Sequence, residues 1–357
     1  MKRLSVWVSI LLSVILLFTA SPALSSDDDT IVEETVLDEV DPDTAAAGAA
    51  AVTEKDGWHF DGDGFLVGDN PGSAYLLEDE ENGVWQYASK DLAVTVTRYR
   101  EKTKGKILEY CVAEIRCSET SPLGVLMTEP YSRYGSVPAP GVRQEVPVTL
   151  IADNPSVLAV SDDMYGLRMS PIGRNKTKYK YHGVIIRNGE VLATKTRKRP
   201  EEGAKDKRPW PNLDTLAVYR DGSMKTYVSG DRTAEEYLED GAVHVFAFGP
   251  WLISDKAINP ALLNKDYYPS SEPRIAIGMV EPYHYVIVAT SGCPKIKYAG
   301  VKLAWLAEKM LELGCTEALN LDGGATVVMA FNNRVILKGE NAKGFRNIGS
   351  MIAFGLQ

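Results

Sequence analysis

Tyr285-Val286-Ile287-Val288-Ala289, then Val301 to Leu313, then Glu317-Ala318-Leu319-Asn320-Leu321-Asp322-Gly323-Gly324 form the stretch whose reading decides the fold. The first run is apolar throughout and short enough for a buried strand. In the second, Leu303, Ala307, Met310 and Leu311 are expected on one helical face, and Gly314 stops the helix. The third run returns as a strand and delivers Asp322 to its carboxyl end, which is where open sheets place ligands.

Working outward, most of the chain from residue 84 on reads as strands. Val184 to Arg187 and Val191 to Ala193 flank the turn pair Asn188-Gly189, while Leu216 to Tyr219 and Met224 to Val228 flank Asp221-Gly222. A third hairpin turns at Asn332-Asn333, and Thr233-Ala234-Glu235-Glu236 is a capping box that opens a short helix. The expected fold class is therefore α+β, a strand-rich mixed sheet with a strand-helix-strand unit near the C-terminus.

The 357 residues are 45% hydrophobic and 24% charged, which suffices for a sizeable core and excludes disorder over the whole length. No Gly-X-Y period and no repeat of solenoid length is present. Of the net charge of −9, Lys2 and Arg3 contribute +2 and residues 26–43 contribute −9, so the remainder is nearly neutral. Nucleic-acid binding therefore lacks support. The basic run Lys195, Arg197, Lys198, Arg199, Lys205, Lys207, Arg208 lies among Pro200, Glu201, Glu202 and Gly203 and reads as a solvated loop.

Lys2 and Arg3, the apolar stretch Leu4 to Ala20, and the small residues to Ser26 have the order of a secretory signal peptide, taken as residues 1–25. An uncleaved membrane anchor is the alternative, because the stretch is only slightly short for a bilayer span. Residues 26–53, acidic and then alanine-rich, are expected to be a disordered spacer. Residues 54–91, with Trp58, Phe60, Phe65 and Trp85, are expected to form a small N-terminal preface, and 92–357 the main domain. Within the preface, Asp61-Gly62-Asp63-Gly64 lacks the downstream glutamate of a calcium loop and reads as turns.

Cys111 and Cys117 sit on one expected strand, too far apart to pair if it is straight, whereas Cys293 and Cys315 flank the helix and could meet. The cysteines and histidines show no metal-ligand spacing, and the expectation is that no metal and no cofactor is required. His182, His244 and His284 lie beside apolar strands and read as structural.

The sharpest local feature is Leu321-Asp322-Gly323-Gly324-Ala325-Thr326, an acid at a strand end beside two glycines, which is either a functional carboxylate or a tight turn. Arg274 opens the apolar strand Ile275 to Gly278, where a guanidinium can fork onto phosphate or carboxylate or else pair with Asp322. Ser161-Asp162-Asp163 ends the apolar run Val157 to Val160, and at most one of its two acids can share a site with Asp322. No nucleophile elbow, P-loop or dinucleotide fingerprint is present.

Taken in order, Leu158 to Gly166, Gly183 to Glu190, Ala247-Phe248-Gly249-Pro250, Pro273 to Gly278, and Asn320 to Gly324 make the chain resemble the phosphodiester glycosidase family over roughly residues 92–357. The resemblance implies a glycosidase acting on a sugar 1-phosphodiester, N-acetylglucosamine-1-phosphodiester-like, in surface glycans of bacteria. It implies Asp322 as the carboxylate beside an oxocarbenium-like centre and Asp163 as the base toward water. Arg274, the N–H groups around Gly323 and Gly324, and Arg346 would take the departing anion. Thr326, Asp162 and Gly249 complete the implied substrate-binding set. The partner is thus a carbohydrate or sugar phosphate, with membrane contact only through an uncleaved signal segment. Ser161-Asp162, Ser291-Gly292-Cys293, Gly300-Val301-Lys302 and Ala325-Thr326 depart from the family pattern, and the alternative they leave is a glycan-binding module without catalysis.

Overall fold

The computed structural model describes residues 52–103, 105–128, 145–163, 169–171, 179–195, 211–264, 268–292, 298–339 and 344–357. The expected signal peptide, nearly all of the spacer, Arg197 to Arg208, and Cys293 lie outside the described residues. Among those described, no helix is long and apolar enough to cross a membrane.

Among the described residues, alternating apolar residues build three main sheets around one core, beside two two-stranded pairs, Thr53–Lys55 with Trp58–Phe60 and Met169–Pro171 with Tyr179–Tyr181. The large sheet has nine strands, in spatial order Ala257–Ile258, Trp251–Ser254, Glu317–Asn320, Ile275–Glu281, His284–Thr290, Lys106–Cys117, Leu92–Thr103, Val84–Ala88 and Tyr75–Asp79. The second sheet has five: Glu190–Lys195, Gly183–Arg187, Ala242–Phe248, Asp214–Tyr219 and Met224–Tyr227. The third also has five: Arg334–Lys338, Val328–Phe331, Ser156–Ser161, Ser350–Leu356 and Gly124–Met127. Ile275, Ile277, Ile287 and Leu319 of the large sheet meet Leu216 and Phe246 of the second and Val160, Met329, Phe331 and Ile352 of the third in that core.

The residues between these inward positions face outward, as the two-residue period demands, and each sheet covers them with a helix. On the large sheet, Ala276, Val286 and Val288 pack under α3, Leu303–Glu312; on the third, Ala159, Ala330 and Ala353 pack under α1, Pro147–Asp153. On the second, Val184, Ile186 and Val245 pack under α2, Ala234–Glu239. The capping box of α2 forms in full: the Thr233 hydroxyl accepts from Glu236 N at 3.3 Å and the Glu236 carboxylate from Thr233 N at 2.7 Å.

Two expectations are corrected here. The sheets are not mixed: all named strand pairings are antiparallel, and helices are a minor part of a mostly β structure. The strand-helix-strand unit exists, but Ile275–Glu281 lies between its two strands and is antiparallel to both. The buried face of α3 is Leu303, Leu306, Ala307 and Met310, whereas Leu311 is 38% exposed. At 100° per residue Leu311 has rotated off the stripe that the other four share.

Tyr75–Asp79 and Val84–Ala88, from the stretch expected as a preface, are the outer strands of the large sheet, and Trp85 is buried in the common core with the Arg98 guanidinium 4.6 Å from its ring. Asp61 Oδ1 accepts from the backbone N–H of Asp63 and Phe65 at 3.0 and 2.9 Å, so this acid holds a turn. Cys111, Cys117 and Cys315 are free and buried, and burial pushes each thiol up to about 12.

Candidate active site

The carboxyl end of Glu317–Asn320 lies where the chain leaves the large sheet for the third. Leu321 N still donates to Ile275 O at 2.9 Å, but Asp322 N donates to Asp162 O at 3.1 Å, so the acid is held between strands of two sheets. Gly323 follows because a Cβ there would stand 2.6 Å from Pro273 O. Gly324, with φ of +65°, then begins the short turn Gly324–Thr326 that enters Val328–Phe331.

Arg274 approaches from the neighbouring strand. Its N–H donates to Thr290 Oγ1 at 2.8 Å, its carbonyl accepts from Thr290 N at 2.7 Å, and its Nη2 donates to Ser270 O at 3.1 Å. Burial pulls the guanidinium down to about 10, against the charges of Glu272 and Asp322, so it stays cationic at neutral pH. Arg346 arrives from the closing segment, with Nη1 donating to Thr326 Oγ1 at 3.3 Å. Asp322, Gly323, Gly324, Arg274 and Arg346 line one cavity of about 410 Å³ with Phe248, Tyr268, Pro269, Ser270 and Glu272.

Glu272 was not singled out from the sequence. It is half-buried and two residues before Arg274, and Pro273 holds it extended, so both side chains reach the same side of the strand. The signal was the acid–proline–arginine spacing at the start of an apolar run. Thr326 is 2% exposed and reaches the cavity through its bond to Arg346. Gly249 likewise lies behind the wall: it donates N–H to Asn320 O at 3.0 Å and accepts from Asn320 Nδ2 at 2.8 Å, and its neighbour Phe248 faces the cavity.

Two expected roles are corrected. Asp163 is fully buried, its Oδ1 2.6 Å from Arg187 Nη2 and its Oδ2 accepting from Ala247 N, so it is not placed to take a proton from water. Asp162 is 1% exposed, accepts from the Ser350 hydroxyl and lies 3.4 Å from Arg187 Nη2, so it contributes structure where substrate contact was expected. The N–H of Gly324 donates to Pro273 O at 2.8 Å and is committed to the turn. Arg187, unnoticed in the sequence, also donates to Val245 O at 2.7 Å and stacks 4.1 Å from the Phe246 ring.

Of the histidines, His284 is buried with its Nε2 3.0 Å from the exposed Glu114 carboxylate, and His182 is half-buried. Burial, helped by Arg187, pulls His244 down to about 3, and its Nδ1 accepts from Asn188 N at 3.3 Å. Unfolded histidine protonates near 6.5, so acid favours the unfolded chain: stability is full above that pH and declines as pH falls toward 3. The expected loss from this group is about 2 kcal/mol by pH 5, read as a fall in the urea midpoint. His244→Gln should flatten that decline. Gly249→Ala is expected to lower stability by about 2 kcal/mol or more, since φ is +78° and a Cβ would stand 2.1 Å from Asn212 Oδ1. Urea unfolding checks it.

Fold and site together define a three-sheet, mostly β domain whose cavity gathers two arginines and two carboxylates at a junction of sheets. The chain belongs to the phosphodiester glycosidase family, which matches residues 157–355. It is 27% identical over 150 residues to the Bacillus subtilis (strain 168) SPbeta prophage-derived uncharacterized protein YomE, a match spanning 42% of this chain and 23% of that protein's length. Its fold resembles that of the zebrafish N-acetylglucosamine-1-phosphodiester alpha-N-acetylglucosaminidase catalytic domain auto-inhibited by pro-peptide. The TM-score is 0.52 and the identity 14%, over 81% of this chain and 90% of the zebrafish one.

Proposed function

We propose that the protein is an exported glycosidase that hydrolyses a sugar 1-phosphodiester of a surface glycan. The observation that carries the reading is the convergence of Asp322, Glu272, Arg274 and Arg346 on one cavity in a chain of this family. Breaking the bond from the anomeric carbon to the phosphate oxygen expels a phosphate monoester, a good leaving group, so little general-acid help is needed. What the reaction needs is a carboxylate beside the oxocarbenium-like centre, a base for water, and cations for the departing anion.

Asp322, 8% exposed and fixed through its backbone, suits the first role. Glu272, half-buried and so within reach of water, takes the base role first expected of Asp163. Arg274 and Arg346 suit the third: a buried guanidinium offers a fixed fork to phosphate oxygens. Water adds its oxygen to the anomeric carbon, the base receives its proton, and the phosphate leaves with the bonding pair. Export rests on the basic, apolar, small-residue order of residues 1–26.

The test is release of N-acetylglucosamine from the 4-nitrophenyl ester of N-acetylglucosamine 1-phosphate, with other sugar 1-phosphodiesters alongside. Turnover is expected on at least one. Binding without turnover on any of them would instead establish a glycan-binding module.

A further inference from the structure

We propose that the cavity is one half of a cleft for a polymer, and that a second chamber beyond Tyr268 takes the unit next to the scissile phosphodiester. The inference rests on the function proposed above and names its substrate class: a chain of sugar phosphodiesters, not a single capped sugar.

Two adjoining cavities carry it. The first, of about 410 Å³, is near the low end of the ~300–1,000 Å³ typical of small-ligand sites, which suits one sugar with its phosphate. The second, of about 200 Å³, shares Tyr268 and Pro269 with the first, so those two residues form a ridge between them. An extended ligand lying across that ridge would fill both.

The second chamber has the chemistry of a sugar subsite. Leu262 and Leu303 are buried beneath it and Ala304 is half-buried, giving an apolar floor for the C–H face of a pyranose ring. Asn264, Lys302 and Glu308 stand around it as donors and acceptors for ring hydroxyls. Leu263, also lining the chamber, is 72% exposed, a large apolar side chain left at a cleft mouth. Tyr268 has φ of +47°, a left-handed conformation that is strained for an aromatic residue and is found mostly where surrounding structure enforces it, at ligand clamps among other places. Tyr268 is half-buried, packs against the apolar cluster under α3 and lines both chambers, so an aromatic residue stands where a ligand would pass from one to the other.

The test compares binding of a single unit with binding of a chain. The full chain carrying Asp322→Asn, expected to slow turnover about a thousandfold, is titrated calorimetrically with the 4-nitrophenyl ester of N-acetylglucosamine 1-phosphate. It is then titrated with a trimer of N-acetylglucosamine units joined by phosphodiesters at the anomeric carbon. The trimer is expected to bind at least tenfold more tightly. Adding Ala304→Trp, which fills the second chamber, should bring the ratio close to one while the single-unit Kd stays unchanged, which also shows that the variant folds. Leu263→Ser, on the exposed rim, should reduce the ratio severalfold without any folding risk. A ratio near one before these substitutions, or one that neither changes, overturns the inference. Turnover of the single unit by the unsubstituted chain is scored separately: turnover with a trimer ratio near one leaves the glycosidase reading standing without the second chamber. A tenfold ratio that collapses with Ala304→Trp, in a chain that turns over neither probe, leaves the cleft standing without the glycosidase.

Discussion

Asp322→Asn is expected to lower kcat on a sugar 1-phosphodiester by about 10³-fold, or about 4 kcal/mol of transition-state stabilisation, while changing folding stability by less than about 1 kcal/mol. The substitution keeps the shape of the side chain and the backbone bond to Asp162 O, and removes only the charge that would face the developing cation. Glu272 remains beside Arg274, so the guanidinium keeps an anionic neighbour. Steady-state kinetics against the 4-nitrophenyl ester, with urea unfolding of the same preparations, separates the two quantities. Undiminished turnover in Asp322→Asn would sink the assignment and shift the charge role to Glu272.

The second large effect is expected at a residue that touches no substrate. Arg187→Met should destabilise the protein by about 3–5 kcal/mol, because it leaves the carboxylates of Asp162 and Asp163 in the interior without their guanidinium. The two acids are 1% and 0% exposed, so water cannot take over. Activity should fall with the folded fraction, since the carbonyl of Asp162 is what holds Asp322 N. Replacing Asp163 as well, in Arg187→Met/Asp163→Leu, should recover part of the loss, as removing a buried charge together with its partner costs less than stranding it. If Arg187→Met unfolds at the same urea concentration as the parent, the cluster has no structural weight.

Asp322 and Arg274 were legible in the sequence because a charged residue at the end of an otherwise apolar strand contradicts its surroundings, and the contradiction needs a cavity or a partner to resolve it. Asp163 carried the same signal, but its resolution was a partner: Arg187, 2.6 Å away and 24 residues on. Nothing local identified that arginine. It precedes Asn188-Gly189 in a hairpin, a position where a charge ordinarily meets solvent, and only the pairing of Gly183–Arg187 with Ala242–Phe248 turns it inward. Glu272 was missed for the opposite reason, since an acid before a proline reads as loop until the cavity beside it is seen. The hairpins, the capping box and the C-terminal helix were readable because turn and cap chemistry is local. The division into three sheets was not, because it depends on which antiparallel partners meet across long sequence separations.

The placement of Asp322 bears on how the protein would select its ligand. Its backbone is tied to a strand-end loop of the third sheet, and the Arg274 backbone is tied to Thr290 of the large sheet by one bond to its N–H and one to its hydroxyl. The backbone positions from which carboxylate and guanidinium reach the cavity are therefore set when the sheets dock, before any ligand arrives. Such a pair works as a mould: the entropy of orienting its charges is lost in folding, and a ligand whose anion and anomeric centre do not match the spacing gains nothing from either group.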